Sequence, residues 1–233
     1  MTDKNPIVSR NEWLSARREL LQKEKELTHL RDQLSEQRRQ LPWVKVEERY
    51  VFQGPKGPET LAQLFDGRSQ LVVYHFMFAP EAEAGCKSCS FWADSFNGIV
   101  AHLQQRDTTF SAISRAPLPK LQAMAKRLGW TFKWVSSEGC HFNRDFGVYF
   151  SPDVLATGTI PYNFASHPAY GPDMPGVSVF FKDGDSVFHT YSSYARGIDI
   201  LNTTYNYLDL TPKGRDEGDR PMAWVKYRDQ YAS

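Results

Sequence analysis

Cysteine is scarce in this chain, three in 233 residues, and the odd count does not suit the disulfide framework of a small secreted domain. Charge of one sign is lacking too: 28 basic residues stand against 27 acidic, a net charge of +1. That balance gives no support to nucleic-acid binding by bulk electrostatics. No stretch approaches the roughly 20 apolar residues of a membrane-spanning helix. The opening MTDKNPIVSRNEW holds no apolar signal core, and neither internal repeats nor low-complexity tracts occur. The expected setting is the cytoplasm, with neither nucleic acid nor membrane as partner. In a reducing compartment a close cysteine pair is more often catalytic, redox-sensing or metal-binding than structural.

Core-forming residues are plentiful, 41% hydrophobic and 14% aromatic. Residues 71–103, LVVYHFMFAPEAEAGCKSCSFWADSFNGIVAHL, organise the rest. An apolar run over 71–78 suits a central strand covered on both faces; Tyr74 and His75 are its only ionisable side chains. A short loop then carries Cys86-Lys87-Ser88-Cys89. Phe91, Trp92, Phe96, Ile99, Val100 and Leu103 follow at three- and four-residue steps, predicting a helix. Unpaired N–H groups and the positive end of the helix dipole favour a thiolate at such a start.

Residues 9–41 predict one long charged helix. Trp13, Leu20, Leu27, Leu34 and Leu41 recur every seven residues, but Lys23 and Gln37 interrupt the second apolar row of a coiled coil. The stripe suits packing across a second copy of the chain, giving a homodimer, or against its own domain. Pro42 ends it. Strands are expected over 44–52, 108–114 and 130–135, and a helix over 118–128 closing at Gly129. Residues 177–181 and 186–191 flank Lys182-Asp183-Gly184-Asp185, a hairpin signal, and a helix over 198–208 follows. Three segments result: a helical extension over 1–42, a domain over 43–210 with an irregular insert at about 136–173, and a tail over 211–233. Alternating strands and helices predict an α/β class with a mainly parallel sheet and a late antiparallel pair. Sites in such sheets form at strand carboxyl ends, where Cys86, Cys89, Ser114 and Arg115 converge.

These features resemble the thioredoxin superfold: the apolar strand, Cys86-x-x-Cys89 at a helix start, and Met174-Pro175 followed by GVSVFFKDGDSVF. More narrowly, YHFMFAPEAEAGCKSCSFWADSFNGIVAHL, FSAISRAPLPKLQAMAKRLGWTFKWVSS and the closing TPKGRDE resemble domain-of-unknown-function family 899. Its members are often labelled dithiol–disulfide oxidoreductases. The resemblance implies a three-layer thioredoxin-like sandwich and places Pro175 at the position of a cis-proline lying against the cysteine pair. Residues 132–148, FKWVSSEGCHFNRDFGV, resemble an insert of peroxiredoxins; where those carry Thr three residues before their cysteine, Glu83 stands here.

Cys86 is the candidate nucleophile and Cys89 the resolving thiol, as the exposed and shielded members of such pairs. Lys87 adds positive charge beside them. Arg115 is a candidate to hold a substrate carboxylate or to support the thiolate. The expected substrate is a thiol or disulfide, protein or small molecule, and this chemistry needs no organic cofactor. Two other readings stay open: a thiol peroxidase, and a non-catalytic dimeric protein that senses redox state or binds zinc, with Cys140-His141 completing the ligands. Structural metal is not expected, since neighbouring residues rarely both point at one ion.

Overall fold

The computed structural model describes residues 5–231. The first four residues, part of the stretch without a signal core, and the last two of the tail lie outside them. The chain divides into two compact units between Pro42 and Trp43.

The first unit is α1 (Arg10–Arg39). Ser9 and Glu12 cap it reciprocally: the Ser9 hydroxyl accepts from the Glu12 N–H, and the Glu12 carboxylate accepts from the Ser9 N–H at 2.9 Å. Two orphan donors of the first turn are thereby satisfied. Arg38 and Arg39 lie in the last turn, where the helix dipole favours cations. None of its residues is buried, and Leu20, Leu27 and Leu34 stay 41–59% exposed.

The second unit holds an eight-stranded sheet and a separate two-stranded hairpin. Its strands are β1 (Val44–Lys45), β2 (Val51–Gly54), β3 (Gly57–Thr60), β4 (Gln70–His75), β5 (Thr108–Ser114), β6 (Lys133–Ser136), β7 (Thr159–Tyr162), β8 (Ala165–Pro168), β9 (Gly176–Asp183) and β10 (Ser186–Tyr194). The sheet order is β1-β10-β9-β4-β5-β6-β2-β3, and β7 pairs only with β8. Between β4 and β5 run α2 (Lys87–Ala93) and α3 (Phe96–Gln104), and α4 (Leu118–Leu128) follows β5. The insert between β6 and β9 forms α5 (Phe142–Asp145), α6 (Pro152–Ala156) and the β7–β8 hairpin; α7 (Thr203–Leu208) follows β10.

Strand, helix, parallel strand, helix, then an antiparallel hairpin and a last helix is the thioredoxin-like layout. Here β10, β9, β4 and β5 lie side by side in that order. The sheet as a whole is mixed, where strand–helix alternation predicts a mainly parallel one: only β4–β5 and β5–β6 pair in parallel. For two of the antiparallel pairs the reason lies in connection length. Two residues join β2 to β3 and β9 to β10, and turns that short accept only antiparallel neighbours.

Side chains alternate across β4, so its two faces build different clusters. Tyr74 joins Phe76, Cys89, Trp92, Phe96, Leu121 and Trp134 on the helical face. Leu71 and Val73 join Phe52, Leu64, Phe65, Phe142 and Phe180 on the other. Within α4, Leu121, Met124 and Leu128 supply the buried stripe, and Gly129 closes it in the left-handed region at φ 62°. The helix expected over 91–103 breaks at Asp94 and Ser95, because tertiary bonds compete there. Trp130 Nε1 donates to the Asp94 carboxylate at 2.8 Å, and the Asn97 side chain bridges the Gly129 carbonyl and the Thr131 N–H.

Candidate active site

The pair sits where a tightly held loop enters α2. β4 ends at His75, and residues 76–78 continue beside the end of β5. The Ser114 hydroxyl donates to the Phe76 carbonyl at 2.7 Å, and the Ala116 N–H to the Phe78 carbonyl at 2.8 Å. Lys120 Nζ then donates to the carbonyls of Pro80 and Ala82, at 2.7 and 2.8 Å. The Cys86 N–H returns to the Met77 carbonyl at 2.9 Å. Tyr227, from the tail, donates its hydroxyl to the Gly85 carbonyl at 2.5 Å. Gly85 has no room for a side chain: an added Cβ would lie 2.6 Å from the Phe76 ring and 3.0 Å from Met124 Sδ. A loop so pinned fixes the position of the two thiols.

Cys86 is half-buried and Cys89 is 1% exposed; both are free thiols. Their environments push them apart. The Cys86 thiol is lowered to about 6, chiefly because Cys89 donates its S–H to the Cys86 sulfur; the N–H groups of Cys89 and Ser88 and the Ser88 side chain add to this. Burial opposes the shift but does not win. Cys89 is driven the other way, well above the ordinary thiol range, first by burial and then by its bond to Cys86. One sulfur is thus a thiolate near neutrality and the other a retained thiol.

The other expected site residues fall differently. Lys87 is solvent-exposed, and the leading contributions that lower Cys86 come from the pair and Ser88 rather than from it. Arg115 is not free to hold a substrate: its guanidinium is bidentate on Asp173, Nε to Oδ1 at 2.7 Å and Nη2 to Oδ2 at 3.0 Å. It also stacks 3.9 Å above the Tyr149 ring. It ties the end of β5 to the segment before Pro175.

Pro175 is trans, since no cis peptide bond occurs among the described residues, which corrects the cis expectation. Its carbonyl faces no incoming chain either, because Tyr162 of β7 donates to it at 2.6 Å. With the carbonyl held by the insert's own hairpin, the turn needs no cis bond to stay in place. Cys140 packs against the cluster on the opposite face of the sheet from the pair. It therefore completes no ligand set with Cys86 and Cys89. Among the described residues no group of three or more His, Cys, Asp or Glu gathers to hold a metal.

His75 lies on that opposite face, buried and held well below the ordinary histidine range, to about 3, by burial. Its Nε2 meets Ser178 Oγ at 2.8 Å, and the chain continues through Ser192 Oγ at 2.8 Å to His189 Nε2 at 2.7 Å. A register shift between His189 and Tyr191 turns His189 and Ser192 to the same face. Three tyrosines were not singled out as site residues by the sequence: Tyr74 beneath Cys89, Tyr162 on Pro175 and Tyr227 on Gly85. Tyr74 carried a signal as a hydroxyl in a run whose only other ionisable side chain is His75, Tyr162 as part of an aromatic-rich insert, and Tyr227 as a docking residue of the tail.

Fold and site together define a thioredoxin-fold protein with a dithiol at a helix start. The chain belongs to the family described as bacterial protein of unknown function, DUF899, whose model matches residues 2–231. No curated protein matches the sequence. Among solved structures it is similar to peroxiredoxin Q of Xanthomonas campestris, at 12% identity over 66% of this chain and 85% of that one, with a TM-score of 0.46. It is also similar to peroxidoxin BcpB of Mycobacterium tuberculosis (16% identity, 70% and 95% covered, TM-score 0.46). A third is a secreted Mycobacterium tuberculosis disulfide oxidoreductase homologous to Escherichia coli DsbE (17% identity, 66% and 91% covered, TM-score 0.37). No helix among the described residues is long and apolar enough to cross a membrane.

Proposed function

We propose that the protein is a thiol–disulfide oxidoreductase that works through Cys86 and Cys89. The observation that supports it is the opposed poise of the two sulfurs: Cys86 lowered to about 6 and within reach of solvent, Cys89 buried and kept protonated. The Cys86 thiolate attacks one sulfur of a substrate disulfide. A mixed disulfide forms, and the other substrate sulfur leaves as a thiolate that takes up a proton. Cys89 then loses its proton and attacks Cys86. The Cys86–Cys89 disulfide forms, the second substrate sulfur departs as a thiol, and the substrate has gained two electrons. An external thiol reductant restores the dithiol.

Arg115 acts in this reading as a positioning residue, since its guanidinium is spent on Asp173 and Tyr149. Pro175, its carbonyl held by Tyr162, is assigned no direct step, and exposed Lys87 is left to meet an acidic substrate. The test is disulfide reduction by the parent and by single cysteine variants. Cys86→Ser should abolish turnover, and Cys89→Ser should accumulate a mixed disulfide on Cys86, visible as a mass increase. Parent-like turnover by both variants would sink the proposal.

A further inference from the structure

The buried tyrosines of the second unit share one habit. Tyr50, Tyr162, Tyr194 and Tyr205 each donate the hydroxyl to an oxygen, on Asp145, Pro175, Phe146 and Glu217, at 2.6–3.0 Å. Tyr74 breaks it. At 1% exposure its hydroxyl is buried and has no hydrogen-bond partner. A buried hydroxyl left unmatched costs stability that a phenylalanine would not lose. Its ring is held by edge contacts to Phe96 at 5.0 Å and Phe76 at 6.3 Å, which limits where the hydroxyl can turn. Cys89 lies in the same buried cluster as Tyr74, and the hydroxyl is coupled electrostatically to the Cys89 sulfur first and to Cys86 and Tyr162 after it. The hydroxyl influences Cys89 without meeting full hydrogen-bond geometry to it.

We propose that the Tyr74 hydroxyl is the positioning group for Cys89: a donor kept without a partner so that it closes on the sulfur as the thiol ionises. The assignment rests on the dithiol reading above and concerns its second step. There the Cys89 S–H bond breaks, the Cys89–Cys86 bond forms, and the bond from Cys86 to the substrate sulfur breaks. The departing sulfur leaves as a thiolate and takes up the proton that Cys89 released. Tyr74 donates a hydrogen bond to the forming thiolate and keeps its own proton. A thiolate is a stronger acceptor than a thiol, so the contact tightens at that moment and not before. The leading groups that favour the Cys89 thiolate are the Met77 N–H and Tyr74.

The test uses Tyr74→Phe in the full chain with Cys140→Ser, and an aromatic disulfide that releases a coloured thiolate. Attack by Cys86 releases one equivalent; resolution by Cys89 releases the second. The expected result is a first release within twofold of the parent's and a second release about tenfold slower or more. The pH midpoint of the second release should also rise, and the melting temperature should stay at or above the parent's. A second release within twofold of the parent's, with the same pH midpoint, overturns the assignment. A parent that never releases the second equivalent overturns the dithiol reading, and the assignment with it, so the two failures are distinct.

Discussion

Removing the Cys89 S–H should cost Cys86 its thiolate, and the size of the loss can be worked out. Cys86 is held at about 6 against an ordinary 9, with the Cys89 side chain as the leading cause. At pH 7 a thiol of pKa 6 is about nine-tenths ionised, whereas one of pKa 9 is about one-hundredth ionised. A hydrogen bond to a charged group is worth about 1.5–3 kcal/mol, or about one to two pH units. Cys89→Ala should therefore move the Cys86 midpoint up by about that much, leaving the N–H groups of residues 88 and 89 to supply what remains of the depression. Cys89→Ser keeps an O–H donor and should move it less. The assay is iodoacetamide labelling across pH 5–9, with the site of modification read by mass spectrometry. A parent midpoint near 9, or an unmoved midpoint in Cys89→Ala, would refute the reasoning.

Four further outcomes follow from the same geometry. Because folding lowers the Cys86 pKa, this group adds stability above about pH 6 and loses it as pH falls through that value. The parent's advantage over Cys86→Ala in urea denaturation should thus grow between pH 6 and pH 9. Arg115→Ala leaves Asp173, whose side chain is 11% exposed, without its partner; chemical denaturation should show a loss of about 2–4 kcal/mol. Arg115→Ala with Asp173→Ala together should cost less than the sum of the single changes, as a double-mutant cycle would show. Gly85→Ala should destabilise by about 1–3 kcal/mol, with slower Cys86 labelling, since the methyl would push against the Phe76 ring.

Much of the fold was legible where local rules act alone. β5 covers Thr108–Ser114 and α4 covers Leu118–Leu128 with Gly129 behind it, as apolar spacing and the glycine signal require. The β9–β10 hairpin turns at Gly184, with φ 55°. The same rules failed where distant groups compete. The helix after the cysteines breaks because Asp94 and Asn97 bond to residues of the 129–131 segment, more than thirty positions away. Residues 44–60 divide into three short strands, because edge pairing with β10 and β6 decides their register.

The sequence by itself determined the close cysteine pair, the strand before it, the helical character of the segment after it and the thioredoxin-like order of elements, since each is written in spacings of a few residues. Only the tertiary structure decided the sulfurs' surroundings. Tyr227 reaches Gly85 across 142 positions and Tyr162 reaches Pro175 from a separate hairpin. Arg115 is claimed by Asp173, 58 positions on. Tyr74 lies under Cys89 because the pleat of β4 sends alternate side chains to opposite faces and α2 folds back over one of them. Which hydroxyl is left without a partner is settled only when every other group in the core has found its own.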